Sequence, residues 1–177
     1  GHWQTVLTAA TAGGAAVDIE AAADNNTVLY AAFRAPFRGR GRAAGPEPSE
    51  PPVFVSTDAG RHWKPAAAAG LPATGRGRPA LAVAPGTHGR RLYAYLAQGV
   101  FRSDDAAAHW RLASADPRLV GGGQFFHIYV DPTDARVLYL MQTAAYRSTD
   151  AGATWQPFTG APSGDDFNAF WMDPSQP

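Results

Sequence analysis

The chain has 177 residues, enough for one domain and too few for two ordinary ones. Fifteen Lys and Arg balance fifteen Asp and Glu, so no net field draws it to nucleic acid or an anionic membrane. Cysteine is absent, which removes disulfides, thiolate zinc sites, iron–sulfur clusters and cysteine nucleophiles, and no apolar run approaches the roughly 18 residues that span a bilayer.

Val17–Ala23 and Val28–Phe33 are short runs rich in Val, Tyr, Phe and Leu on either side of Asp24-Asn25-Asn26, which reads as two strands and a tight turn. A Gly/Pro-rich insertion, Arg34–Pro52, leads to a third run that ends in the octet S-T-D-A-G-R-H-W at Ser56–Trp63. The order then returns. Leu81–Ala84, the turn Ala84-Pro85-Gly86 and Leu92–Leu96 precede S-D-D-A-A-A-H-W at Ser103–Trp110. Phe126–Val130, the turn Asp131-Pro132-Thr133-Asp134 and Val137–Met141 precede S-T-D-A-G-A-T-W at Ser148–Trp155. Trp63, Trp110 and Trp155 stand 47 and 45 residues apart, and the insertion widens the interval from Trp3 to 60. No stretch holds a 3.6-residue apolar period long enough for a helix; Ala66–Ala69 is bracketed by Pro65 and Gly70-Leu71-Pro72. A four-stranded unit of this length in tandem predicts an all-β chain of β-propeller blades.

The octets resemble S-x-D-x-G-x-[ST]-W, the Asp-box of BNR-repeat propellers in sialidases, xyloglucanases, sortilin-type receptors and photosystem assembly factors. Ser148–Trp155 fits every fixed position; Ser56–Trp63 has His62 for Thr; Ser103–Trp110 has Ala107 for Gly and also carries His109, which predicts a distorted turn. The longer context, V-D-I-E-A-A-A-D-N-N-T-V-L-Y-A-A-F, G-V-F-R-S-D-D and H-I-Y-V-D-P-T-D-A-R-V-L-Y, is similar to bacterial sortilin-like propellers labelled glycosyl hydrolase. The resemblance implies boxes on the turn between third and fourth strands, away from the ligand face, and an extracellular or periplasmic protein with a glycan or protein ligand.

The box also has a physical reading without catalysis. A carboxylate at a hairpin tip accepts backbone N–H groups, Gly at the fifth position supplies positive φ, and Trp anchors one blade on the next. Ser56, Asp58, Gly60, Trp63, Ser103, Asp104, Trp110, Ser148, Asp150, Gly152 and Trp155 are read as this framework. His2, His62 and His109 each precede a repeat Trp and belong to it.

Gly1-His2-Trp3-Gln4 aligns with Arg61–Lys64 and with Ala108–Arg111, and Phe167–Met172 before Asp173-Pro174 matches Phe126–Val130 before Asp131-Pro132. The expected plan is an outer strand in residues 1–8, blades at 15–65, 78–113 and 124–158, and an inner strand in 165–177. Such a plan does not close a ring of 4–8 blades. The expectation is a segment of a larger propeller, completed by other blades of the same protein or by further copies.

Strand order sorts the loops Arg34–Pro52, Pro65–Pro79, Ser114–Gln124 and Thr159–Asp166 onto the ligand side. Arg38, Arg40 and Arg42, with Arg76 and Arg78, are candidate contacts for carboxylate, sulfate or phosphate, and Gln124 is a candidate ligand contact at the start of an inner strand. His127 with Asp165 and Asp166, at the starts of successive inner strands, is the candidate set for acid–base glycoside chemistry. Phe33-Arg34-Ala35-Pro36 resembles the F-R-I-P motif of sialidases, but it follows a second strand and lacks a Tyr/Glu nucleophile pair, so it is read as coincidence. Gly121-Gly122-Gly123 lacks the Lys-Ser/Thr and helix of a phosphate loop, and no His spacing fits a metal; no cofactor is expected. The leading reading is a ligand-binding propeller segment; the rival is part of a glycoside hydrolase.

Overall fold

Short runs of Val, Leu and aromatic residues cut by Asp, Pro and Gly cannot fill a helix face, and they form strands throughout. The computed structural model describes residues 2–8, 14–34, 52–67, 69–72, 78–120, 126–159, 167 and 169–175. The strands are β1 (Ala15–Ala22), β2 (Asn25–Arg34), β3 (Val53–Ser56), β4 (Lys64–Pro65), β5 (Ala80–Val83), β6 (Leu92–Leu96), β7 (Gly99–Ser103), β8 (Arg111–Ser114), β9 (His127–Val130), β10 (Leu138–Met141), β11 (Ala145–Ser148) and β12 (Gln156–Thr159). Among the described residues there is no helix, and so none long and apolar enough to cross a membrane.

Each set of four strands pairs antiparallel in chain order, giving the sheets β1-β2-β3-β4, β5-β6-β7-β8 and β9-β10-β11-β12. The register repeats as well. Leu29, Leu92 and Leu138 each pair with the serine that opens an octet, Ser56, Ser103 and Ser148. β1 lies beside β5, and β5 beside β9, so the first strands are innermost and the sheets fan outward from a shared axis.

The core lies between sheets. Tyr30, Val53, Val55, Leu81, Leu92 and Trp110 fill the space between the first and second; Tyr93, Tyr95, Val100, Leu138, Leu140 and Trp155 fill that between the second and third. Side chains of this size contribute about 1.5–3 kcal/mol each on burial, so these seams stabilise the stack. Two hydroxyls stitch it. Tyr30 donates to the Gly89 carbonyl at 2.7 Å and Tyr93 to that of Ala135 at 2.8 Å, each reaching the first turn of the next sheet.

The ends differ from expectation. Residues 2–8, expected as an outer strand, and the described residues of 165–177, expected as an inner one, form no strand. A strand needs a neighbour for its N–H and C=O groups, and among the described residues neither segment has a further sheet beside it. They pack instead by side chain: Leu7 against Ala31, Phe33 and Phe54; Phe167, Phe170 and Met172 against Val137, Tyr139 and Met141. Asp173 still accepts from the Ser175 amide at 2.8 Å, the bond that Asp131 makes with Thr133 at the first turn of the third sheet.

Candidate functional site

The octets were read from the sequence as turn framework, and their geometry is that of a turn. In the first, Asp58 Oδ1 accepts from the Ser56 hydroxyl at 2.8 Å and the His62 amide at 2.9 Å, while Ser56 Oγ accepts from the Gly60 amide at 2.9 Å. The third repeats this with Ser148, Asp150, Gly152 and Thr154. In the second, the carboxylate in that position belongs to Asp105, which takes Ser103 at 3.0 Å and the His109 amide at 2.9 Å. The assignment of Asp104 is therefore corrected: one residue too early in the octet, it points away to arginines. The turn is not distorted either, because Ala107 takes φ of 67° in the glycine's place and its amide reaches Ser103 Oγ at 3.1 Å.

His62 and His109 do the work of Thr154. Their Nδ1 atoms reach Asp58 and Asp105 Oδ2 at 2.6 and 2.7 Å, and the Thr154 hydroxyl donates to Asp150 Oδ2 at 2.6 Å. Amide and imidazole bonds from His62 hold Asp58 far below the usual carboxylate range, and those from His109 lower Asp105 to about 2. The indole N–H of Trp63, Trp110 and Trp155 closes each turn on the carbonyl of its fifth residue at 2.9, 3.2 and 3.0 Å. The serine, turn carboxylate and Trp of each octet are spent on the turn. The tip amides of Ala59, Ala106 and Ala151 bond Thr27, Arg90 and Arg136 carbonyls, which puts the octets and the first turns on one side.

The axis carries different chemistry. Asp18 and Glu20 sit two residues apart on β1 and share a side of the strand. Asp18 Oδ2 accepts from the Leu81 amide of β5 at 2.7 Å, and Oδ1 from the Ile19 amide at 3.0 Å. Burial, with the Asp18 charge adding to it, pushes Glu20 up to about 7. Across the axis, burial raises the Tyr129 phenol, the Phe170 amide bond opposes it, and the charges of Glu20 and Asp18 raise it further. Two inner strands that are not neighbours thus bring a carboxyl pair and a phenol into one field. His127 joins them, its ring 6.0 Å from that of Tyr129. Among the described residues no three His, Asp or Glu gather as metal ligands.

Of the residues singled out in the sequence, the structure brings His127 to this axis, while Asp165, Asp166, Gln124, Arg38, Arg40, Arg42 and Arg76 lie outside the described residues. Arg78 is described and exposed, two residues before β5. Sequence reasoning missed Asp18 and Glu20. A signal was present, since D-I-E within a strand commits two carboxylates to one side.

No protein-family model and no curated protein sequence matches the chain. Solved structures do. A GH74 enzyme from Niastella koreensis is similar at 20% identity and a TM-score of 0.58, over 83% of this chain and 22% of its own. The GH74 xyloglucanase from Xanthomonas campestris is similar at 20% identity and a TM-score of 0.51, over 80% of this chain and 18% of its own. YCF48 bound to D1 peptide is similar at 15% identity and a TM-score of 0.56, over 82% and 39%. With the three radiating sheets, these likenesses decide the architecture. The chain is a β-propeller segment. Its sheets are blades, and it spans about a fifth of the length of the GH74 structures.

Proposed function

We propose that this segment binds a glycan or a protein segment at the axis of a BNR/Asp-box propeller, outside the cytoplasm (extracellular or periplasmic). The observation that carries the reading is the carboxyl pair Asp18–Glu20 on the innermost strand of the first blade, in electrostatic reach of Tyr129 on that of the third. Raised to about 7, Glu20 supplies an O–H donor beside the Asp18 acceptor in about half of the molecules at neutral pH and in most of them below it, and Tyr129 with His127 supplies a ring surface. Such a set suits sugar hydroxyls or peptide amides. Its neighbours include a xyloglucanase and a protein bound to a peptide, which is consistent with either ligand. Arg38, Arg40, Arg42, Arg76, Arg78 and Gln124 are proposed to extend the contact on the loop side. Further blades, from the same protein or further copies, are proposed to complete the ring.

One feature favours a second reading, part of a glycoside hydrolase. A carboxyl group raised to about 7 beside a second carboxyl is the pairing that general-acid chemistry uses. Calorimetric titration with xyloglucan, β-glucan and sialoside oligosaccharides, and with extended peptides, tests both. Tyr129→Ala and Glu20→Gln should each weaken binding about tenfold or more with the fold retained. Binding indifferent to both changes would remove the axial site. Reducing-sugar release that Glu20→Gln abolishes would replace the binding reading with the hydrolase.

A further inference from the structure

The second blade carries a set of charges that the repeat does not require. Across β6, β7 and β8 the register aligns Tyr93 with Arg102 and Arg102 with Arg111. The matching rows are Tyr30, Val55 and Lys64 in the first blade, and Tyr139, Arg147 and Gln156 in the third. Arg91, just before Leu92, stands where the other blades have Val28 and Val137; Asp104, just after Ser103, stands where they have Thr57 and Thr149. Blades with valine and threonine at these places fold alike, so the fold does not explain the charges.

Their geometry is lopsided. Asp104 Oδ1 accepts from Arg91 Nε at 2.7 Å and from Arg102 Nε and Nη2 at 3.0 and 2.8 Å, while the Arg111 guanidinium stands 4.0 Å from Oδ2. The other Arg–carboxylate pairs among the described residues, Arg118–Asp116 and Arg136–Asp134, are one to one. Here three guanidinium groups share one carboxylate. Within this cluster the three guanidinium charges exceed the one carboxylate they share by two, and the neighbouring Arg136–Asp134 pair adds no net charge. The Arg102 side chain is only 15% exposed and that of Arg91 26%, so water screens the inner pair weakly. Each guanidinium has five N–H donors, and one carboxylate cannot satisfy them.

We propose that Arg91, Arg102 and Arg111 form an oxyanion site on the octet side of the second blade, filled in part by Asp104, that takes a tetrahedral dianion such as a sulfate or phosphate group. A dianion matches the surplus of two charges, and its oxygens accept from forks that Asp104 leaves open. The site is separate from the axis and independent of what binds there. Its carriers are a sulfated glycan or a phosphorylated ligand, which share this group.

Titration of the chain with sodium sulfate and with sodium phosphate, at ionic strength held constant with chloride, tests the proposal. Arg111→Gln and Arg91→Gln should each weaken sulfate binding about tenfold. Asp104→Asn should strengthen it about tenfold, a gain that misfolding does not produce. Arg147→Gln, in the same row of the third blade, should leave it unchanged. Phosphate that binds well at pH 7.5 and poorly at pH 5.5, while sulfate stays weak at both, would identify a phosphate carrier; sulfate equal at both would identify a sulfate carrier. Heats no larger than those of chloride in both the wild type and Asp104→Asn, or an equal loss in Arg147→Gln and Arg111→Gln, would overturn the site.

Discussion

Ala59, Ala106 and Ala151 occupy the fourth position of the three octets, and each is held at positive φ, 59°, 61° and 60°. An L-residue there carries about 1–2 kcal/mol of strain that glycine escapes. Ala59 and Ala106 are exposed, so Ala59→Gly and Ala106→Gly lose little packing and should each raise stability by about 1 kcal/mol, read as a higher denaturant midpoint at unchanged slope. Gly152→Ala should do the reverse by about 1–3 kcal/mol, because a Cβ at φ of 85° would stand 3.2 Å from Leu138 Cδ1 and 3.5 Å from Val100 Cγ1. Ala107 tolerates the same conformation because its methyl is fully buried in the first seam, which offsets the strain. Asp105→Ala and Asp150→Ala should each cost about 1 kcal/mol by orphaning the amide of the seventh residue. Asp104→Ala should leave that turn intact. The spacing that identifies Asp105 was legible: Ser56–Asp58 and Ser148–Asp150 fix it two residues after the serine, and only the adjacent carboxylate obscured it.

At the scale of the element, the blade was readable from its octet and its paired apolar runs, since both obey short local rules. Strand ends were less so. Asn25 and Asn26 looked like turn residues, yet they begin β2, because the ladder with β1 extends to Ala22 and overrides their turn preference. That the repeat Trp anchors one blade on the next was legible, and Trp110 and Trp155 do so; how deeply each one is covered was not, because the spacing says nothing of the neighbours on its other side. Trp110 and Trp155 are 5% and 3% exposed, each clamped between two blades; Trp63, which no second sheet covers among the described residues, is only half-buried, and Trp3 is fully exposed. Equal losses at Trp63 and Trp155 are therefore not expected. Trp155→Ala should cost about 3–5 kcal/mol, Trp63→Ala roughly half of that, and Trp3→Ala nothing measurable in chemical denaturation. Tyr93→Phe should cost about 1 kcal/mol by leaving the Ala135 carbonyl without its cross-blade donor.

For the whole molecule the decisive place is the axis, where three blades meet and no single one determines the environment. The alternation marks Asp18 and Glu20 as a pair, but the environment of Glu20 was not legible in the sequence, because its shift arises from burial among inner strands brought together only by the fold, with Asp18 beside it. Its consequence is global. The folded chain holds the Glu20 proton up to about pH 7, whereas an unfolded glutamate releases it near 4.5. Between these values the native state binds more protons than the unfolded state, so the contribution of Glu20 is full below pH 4.5 and is lost as pH rises toward 7. The octet carboxylates run the other way. Bonded amides and side chains lower Asp105 to about 2 and hold Asp150 low despite burial, so their contribution is present above about pH 4 and lost in acid. Stability should therefore peak in the mildly acidic range and fall on both sides. Glu20→Gln keeps the shape and removes the titration: the decline from pH 4.5 to 7 should flatten, and the variant should be the more stable protein at pH 8 by about 1–2 kcal/mol. Melting curves of both proteins at half-unit pH steps decide it. Parallel pH profiles for wild type and Glu20→Gln would place the Glu20 carboxyl in water and dissolve the axial site with it.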